Sequence, residues 1–248
     1  VVSFSGGKDS VVVYELTLIV ARERNRLPLK VLFLDQEAEL QATIDLMEEV
    51  MTSDEVEPMW FQIPMKIFNA TSSDDPWIFC WDADKEDVWM RPRVPYAITE
   101  NVYGTDRFKA MFTAIMKHDF APKSVNIGGV RGEESPARLL SLTGAVTYKG
   151  ETWGKLLDKD NDKYTFYPIY DWSYTDVWKS IHDNNWKYNK VYDQQFSWGV
   201  PVLEMRVSSL CHETSVSNLK YLQEVEKETW VKLTQRLKGI DTEGKFGK

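Results

Sequence analysis

Short apolar runs that end in glycine or acidic turns alternate along this chain with segments of helical period. Val1 to Phe4 is apolar and β-branched, the pattern of a buried strand. Beyond it the period changes. Val11, Tyr14 and Leu18 fall at i, i+3 and i+7, with Leu16 and Ile19 widening the face, which predicts a helix from Ser10 to about Arg24. Asn25 and Pro28 end it. Leu29 to Leu34 is rich in Val, Leu and Phe, as a strand covered on both faces should be. A helix is expected between Asp35 and about Met51, and Trp60 to Ile63 reads as a third strand. Later, Phe108, Met111, Phe112 and Ile115 mark a helix from Arg107 to His118, and Val125 to Ile127 reads as a strand. Glu134-Ser135-Pro136 opens another helix, since proline is tolerated in a first turn. Asp158 to Asp162 reads as a hairpin tip or exposed loop, and Ser173 with Asp176 forms a capping pattern before a helix from Tyr174 to Asp183. From Val216 to about Leu237 the period is again helical.

The alternation predicts an α/β fold: a Rossmann-like, mostly parallel sheet with helices on both faces and a helical C-terminal part. Residues 1–200 would form the α/β domain and residues 201–248 a helical extension packed on it. The rhythm lapses from Pro64 to Gly104. A segment so long and irregular in a compact domain is functional or disordered. Disorder fits badly, because Trp77-Ile78-Phe79-Cys80-Trp81 and Val88-Trp89-Met90 are too apolar for a solvated linker. Arg91 and Arg93 flank Pro92. The insertion is therefore either a lid or partner-binding element carrying basic side chains towards an anion, or a satellite core with surface arginines.

Composition narrows the function classes. With 248 residues, 43% hydrophobic and 27% charged, the chain has the balance of a soluble globular protein. No apolar run approaches the roughly 20 residues of a membrane span, and no signal peptide is expected. The net charge of −8 argues against direct nucleic-acid binding, leaving open only a local basic pocket. Two cysteines, Cys80 and Cys211, make neither a disulfide framework nor an iron–sulfur cluster, so a cytoplasmic setting is expected.

The candidate chemistry starts at Ser5-Gly6-Gly7-Lys8-Asp9-Ser10, placed between the first strand and first helix. Helix N-termini attract anions through unpaired N–H groups and the macrodipole. Gly6 and Gly7 allow close approach and positive φ, Ser5 and Ser10 supply hydroxyls, and Lys8 supplies charge. The spacing is not that of the Walker loop. A second group follows the strand at Val125 to Ile127: Gly128 and Gly129, where close approach of a ligand would require glycine, then Arg131, Ser135 and Arg138. Two guanidiniums could grip phosphate or sulfate oxygens bidentately. Asp35, at the end of the second strand, is either a helix N-cap or a ligand-side carboxylate. Cys211 beside His212 is a candidate nucleophile, set against the strong tendency of free cysteine to be buried.

The Ser5–Ser10 string resembles the pyrophosphate-binding PP-loop of the adenine-nucleotide α-hydrolase superfamily, which includes N-type ATP pyrophosphatases and phosphoadenosine phosphosulfate (PAPS) reductases. Gly129, Arg131, Ser135 and Arg138 are similar to the Gly-x-Arg-x-x-x-Ser-x-x-Arg pattern of PAPS reductases. Pro168-Ile169-Tyr170-Asp171-Trp172, with Asp176-Val177-Trp178, resembles a structural segment of the same family. The resemblance implies that Ser5, Gly6, Gly7, Lys8, Asp9 and Ser10 cradle the phosphates of ATP or PAPS. It further implies that Asp35 lies near the nucleoside or a metal, that Mg²⁺ could enter with the nucleotide beside Asp9, and that Arg131 and Arg138 hold the far anionic end. The implied enzyme would cleave ATP between the α and β phosphates, or act on PAPS as a sulfotransferase or reductase. The tail departs from true reductases, whose C-terminal cysteine stands in a different setting. It is similar instead to the immunoglobulin-binding-regulator A type branch, often encoded beside a ParB-like partner. For that branch the rival reading is a non-catalytic nucleotide-sensing subunit working with such a partner.

Overall fold

The computed structural model describes residues 1–144, 148–216, 219–237 and 240. Eight strands are described: β1 (Val2–Ser3), β2 (Leu29–Leu34), β3 (Val56–Phe61), β4 (Met65–Phe68), β5 (Trp77–Cys80), β6 (Val125–Gly128), β7 (Gly154–Asp158) and β8 (Lys163–Phe166). The described helices are α1 (Lys8–Glu23), α2 (Gln41–Met51), α3 (Phe108–Asp119), α4 (Pro136–Thr143), α5 (Tyr174–Asp183), α6 (Val191–Ser197), α7 (Glu213–Val216), α8 (Leu219–Val225) and α9 (Lys227–Arg236). The expected C-terminal helical stretch is thus divided into separate helices, and its residues 217–218 lie outside the described residues.

Six strands form a mostly parallel α/β sheet in the order β3-β2-β1-β6-β8-β7, flanked by helices. β1 pairs in parallel with both β2 and β6, β6 pairs in parallel with β8, and β7 closes the edge antiparallel to β8. From β1 the chain builds outward through β2 and β3 on one side, and through β6 on the other. The order therefore reverses between β1 and β6. In open α/β sheets this switch point, at the carboxyl ends of the strands, is where ligands bind.

The chain divides into two compact units. The first comprises Val1–Phe33, Leu46–Met59 and Thr113–Asn189. Its core includes Val2, Phe4, Val11, Val12 and Val13, with Ile115 from α3 and Val177 from α5. α5 starts as expected, with a reciprocal capping box between Ser173 and Asp176. The second unit comprises Leu34–Asp45, Trp60–Phe112 and Lys190–Lys248. It contains the irregular segment, which is not wholly irregular: β4 and β5 form an antiparallel hairpin, followed by a 3-10 turn at Ala83–Val88. Trp60 and Trp81 are fully buried in this unit. Among the described residues no helix is long and apolar enough to cross a membrane.

Candidate functional site

In the first unit, β1 ends at Ser3, and the Phe4 ring packs 5.4 Å from that of Tyr14 on α1. The chain turns at Gly6, whose φ of 73° only glycine adopts without strain. Gly7 is the N-cap of α1 and makes no side-chain cap bond. Ser5 and Ser10 close the loop upon itself. The Ser10 hydroxyl donates to the Gly7 carbonyl at 2.8 Å and accepts from the Ser5 amide at 3.3 Å. Asp9 and Ser10 are buried, and Lys8 Nζ lies 3.0 Å from Asp9 Oδ2. A carboxylate in the first turn of a helix is favoured by the macrodipole; here it also holds a lysine.

The second sequence group reaches the same place from β6. A Cβ on Gly129 would stand 2.7 Å from the backbone carbon and oxygen of Asp9. Glycine is required here, but for a different reason from the one its position suggests: the first turn of α1 approaches it, where a ligand was expected. Arg131 is buried at 3% exposure, and its Nε donates to Asp9 Oδ1. Its Nη1 donates to Glu133 Oε2 at 2.7 Å and to the Trp172 carbonyl at 3.1 Å. The same Glu133 oxygen accepts from the amide of Tyr174, the first residue of α5, at 2.6 Å. Burial works against the charge on Arg131, but Asp9 and Glu133 outweigh it and hold its pKa above the ordinary value. Arg131 is thus a strut joining α1, the segment after β6 and the start of α5.

Arg138 has a different environment. It is exposed on α4, 3.4 Å from Glu134 one turn earlier. Ser135 caps that helix, its hydroxyl accepting from the Arg138 amide at 3.2 Å. Ser5, Gly6, Gly7, Lys8, Asp9 and Ser10 are therefore brought beside Gly129 and Arg131, with Ser135 and Arg138 following on α4 in the same unit. Glu133 was not anticipated. Its only sequence signal is an acidic pair directly after Arg131-Gly132.

The remaining candidates belong to the second unit. Asp35 is fully buried and its oxygens are saturated. They accept from Trp60 Nε1 at 2.8 Å, from Gln62 Nε2 at 3.0 Å and from the Glu37 amide at 2.8 Å, and they pair with Arg91 Nη2 at 2.5 Å. α2 begins only at Gln41, so Asp35 is not its N-cap. Glu37, also fully buried, pairs with Arg236 of α9 at 2.6 Å and accepts from the Trp81 amide at 2.7 Å. Arg93 lies over the Trp89 ring, 4.6 Å from its centroid. The arginines of the insertion are therefore built into a core. Glu39 in the same segment has its pKa pushed up to about 8, by burial first and then by Asp35, with Arg91 opposing.

Of the two readings of Cys211, candidate nucleophile or buried thiol, the geometry matches the buried thiol. It is fully buried, its Sγ lies 3.2 Å from the Ser209 hydroxyl, and burial pushes its pKa up to about 12. A thiol in that state stays protonated at neutral pH and lacks the electropositive, accessible setting of a reactive cysteine. Cys80 is buried too, with its pKa raised by burial and by Glu37. Among the described residues no three His, Cys, Asp or Glu side chains gather as a metal-ligand set. Asp9, the residue expected beside Mg²⁺, is engaged by Lys8 and Arg131.

The family described as phosphoadenosine phosphosulfate reductase domain matches residues 1–198, from the loop at Ser5 through Arg138 to the end of α6. The chain belongs to this family. Among curated proteins the chain is similar to "Uncharacterized protein YbdN" of Escherichia coli (strain K12), 27% identical over 256 residues. The match covers 98% of the chain and 62% of that relative, so the chain spans under two thirds of its length. A solved PAPS reductase from Candida auris, in a phosphate complex, is similar at 13% identity, with a TM-score of 0.40 over 77% of this chain and 75% of that one.

Proposed function

We propose that the Ser5–Ser10 loop binds the phosphate or phosphosulfate end of an adenine nucleotide, PAPS or ATP. The observation that carries this reading is the loop's position. It leaves β1 where the sheet order reverses and opens a 16-residue helix at an N-cap, Gly7, with no side chain to occupy the helix end. N–H groups of the first turn and the macrodipole favour an anion there. Gly6 and Gly7 carry no side chain to hinder close approach, and Lys8 adds charge. Arg138, exposed on α4, is the guanidinium open to a ligand, while Arg131 acts through Asp9 on the shape of the loop.

Bound nucleotide would bring its own Mg²⁺, which offsets charge on the phosphates. With ATP the proposed step is attack by water or an acceptor nucleophile on the α-phosphorus, breaking the bond to the β phosphate while the loop stabilises departing pyrophosphate. With PAPS a nucleophilic acceptor attacks the sulfur, taking the sulfo group, and adenosine 3′,5′-bisphosphate leaves. Thiol-dependent reduction is not part of the reading, because Cys211 is fully buried and burial pushes its pKa up to about 12. Within the family we place the chain in the immunoglobulin-binding-regulator A type branch, on its Cys211-His212-Glu213-Thr214-Ser215 tail.

Calorimetric titration with ATP/Mg²⁺ and with PAPS tests the reading. At least one should bind, and Lys8→Ala should weaken it about tenfold or more, the worth of a charge-assisted contact. Unchanged affinity in Lys8→Ala would sink the assignment. Release of pyrophosphate or of adenosine 3′,5′-bisphosphate then separates the two reactions, and binding without release marks a nucleotide sensor.

A further inference from the structure

Tyr167, directly after β8, carries a hydroxyl that the Ser5–Ser10 loop does not engage. β8 lies beside β6 and β6 beside β1, all parallel, so their carboxyl ends share one edge of the sheet. Ser3 is level with Gly128, and Ile127 with Phe166, which brings Tyr167 level with Gly128 and Ser3. Residues level with one another on neighbouring strands point to the same face. A Cβ on Gly128 would stand 3.0 Å from Tyr167 Cε1 and 3.3 Å from its Cδ1, so one edge of the ring lies over that glycine. At Gly129, the next residue, the backbone of Asp9 makes the close approach. The two glycines thus have separate neighbours: the anion loop at Gly129 and the phenol ring at Gly128.

The backbone that carries the ring is held on both sides. The Tyr167 amide donates to the Trp153 carbonyl at 3.0 Å, and the Tyr167 carbonyl accepts from the Tyr170 amide at 3.1 Å. The other hydroxyl of this row is occupied, since Ser3 Oγ donates to Asn126 Oδ1 at 2.9 Å. Tyr167 is half-buried, and among the described residues its hydroxyl has no hydrogen-bond partner. A packed phenol normally finds a partner for its polar tip. Arg138 is the charged group that acts on this tip. Burial raises the Tyr167 pKa and Arg138 opposes the rise, so the phenol is a donor at neutral pH with a guanidinium in electrostatic reach. Arg138 itself is exposed on α4.

We propose that the Tyr167 hydroxyl donates a hydrogen bond to the anionic end of the bound nucleotide, beside Arg138. The proposal rests on the reading of Ser5–Ser10 as the loop that binds that end. Phosphate and sulfo oxygens are acceptors, and a phenol O–H is a donor that brings no charge. The loop meets the anion from the β1 side of the Gly128–Gly129 turn, and Tyr167 with Arg138 meets it from the β8 side. Arg138 supplies charge there from an exposed helix. Tyr167, on a backbone fixed at both ends, supplies direction.

The test is calorimetric titration of the 248-residue chain and its variants with ATP/Mg²⁺ and with PAPS. Tyr167→Phe should bind the nucleotide that the parent binds about tenfold more weakly, the loss of one hydrogen bond to a charged group. Its thermal melt without nucleotide should match the parent's, because the ring stays and the hydroxyl has no partner to lose. In Tyr167→Phe combined with Arg138→Gln the two losses should not multiply, since both groups hold the same end. Unchanged affinity in Tyr167→Phe, with Lys8→Ala still weakened, overturns the proposal and leaves the loop reading standing. Losses that multiply place the hydroxyl elsewhere on the nucleotide and overturn it as well. A parent that binds neither nucleotide overturns both.

Discussion

Asp9 and Arg131, 122 positions apart in sequence, form a buried ion pair that locks the first turn of α1 to the segment after β6. The other oxygen of the same carboxylate lies 3.0 Å from Lys8. One aspartate therefore holds two of the cations that the sequence offers to an anion. The charge pattern of the loop depends on this carboxylate as much as on the lysine.

Removing one member of a buried pair leaves the other uncompensated, at a cost of about 3–5 kcal/mol. Asp9→Ala should therefore destabilise the chain strongly, because Arg131 stays buried with one partner fewer. Asp9→Ala combined with Arg131→Met should cost less than the sum of the two single changes. Urea unfolding of the four proteins measures the coupling. Additive losses would mean that the pair does not act as a unit.

Gly129 and its neighbour Gly128 should respond differently to alanine. At Gly129 the new Cβ meets backbone atoms of Asp9 at 2.7 Å, and backbone has no rotamer with which to yield. At Gly128 it meets only the edge of the Tyr167 ring, at 3.0 Å. Gly129→Ala should lose at least the roughly 1–3 kcal/mol typical of overpacking and should weaken nucleotide binding by displacing the loop. Gly128→Ala should do less of both. Thermal melts and calorimetry on the two variants check the ranking.

Glu39 sets a pH dependence. Its folded pKa of about 8 lies above the ordinary 4.5, so between those values the folded chain keeps a proton that the unfolded chain gives up. This contribution to stability is full below about pH 4.5, declines as the pH rises, and is lost once the pH passes about 8. The charged groups acting on it are Asp35, which raises the pKa, and Arg91, which lowers it. Glu39→Gln should flatten the stability profile across this window and be more stable than the parent at alkaline pH. Urea midpoints from pH 5 to 9 decide it; parallel profiles for parent and variant would refute the assignment.

The two thiols should be silent in the folded state. Cys80 and Cys211 are both buried with raised pKa values, so a disulfide reagent should modify them roughly two orders of magnitude more slowly than in the urea-unfolded chain. Cys211→Ala should retain nucleotide binding and any phosphate-end cleavage. Loss of turnover with intact binding would restore the thiol to the chemistry.

Local pattern was enough for several elements. Leu29–Leu34 is a strand with the expected bounds, and the Ser173–Asp176 capping box opens α5 as its spacing implies, because both signals lie within a few residues of chain. The strand–Gly-Gly–helix order around Ser5 to Ser10 was legible for the same reason, and so was the α/β class. The hairpin β4–β5 was not. Its strands have four residues each, and the alternation that would mark them is masked by aromatic side chains on the exposed face, Phe68 and Trp77.

By itself the sequence determined which residues could meet an anion: a glycine pair, Lys8, and the Arg131 and Arg138 motif. Only the tertiary structure decided what each of them touches. Arg131 turned from a gripping side chain into a strut because Asp9 and Glu133 meet it in space. Gly129 proved to admit the α1 backbone for the same kind of reason. Asp35 and Glu37 became core ions because Arg91 and Arg236, 56 and 199 positions away, pack against them. Charges and glycines are local properties of a chain; their partners are set by which strand ends the sheet order brings together.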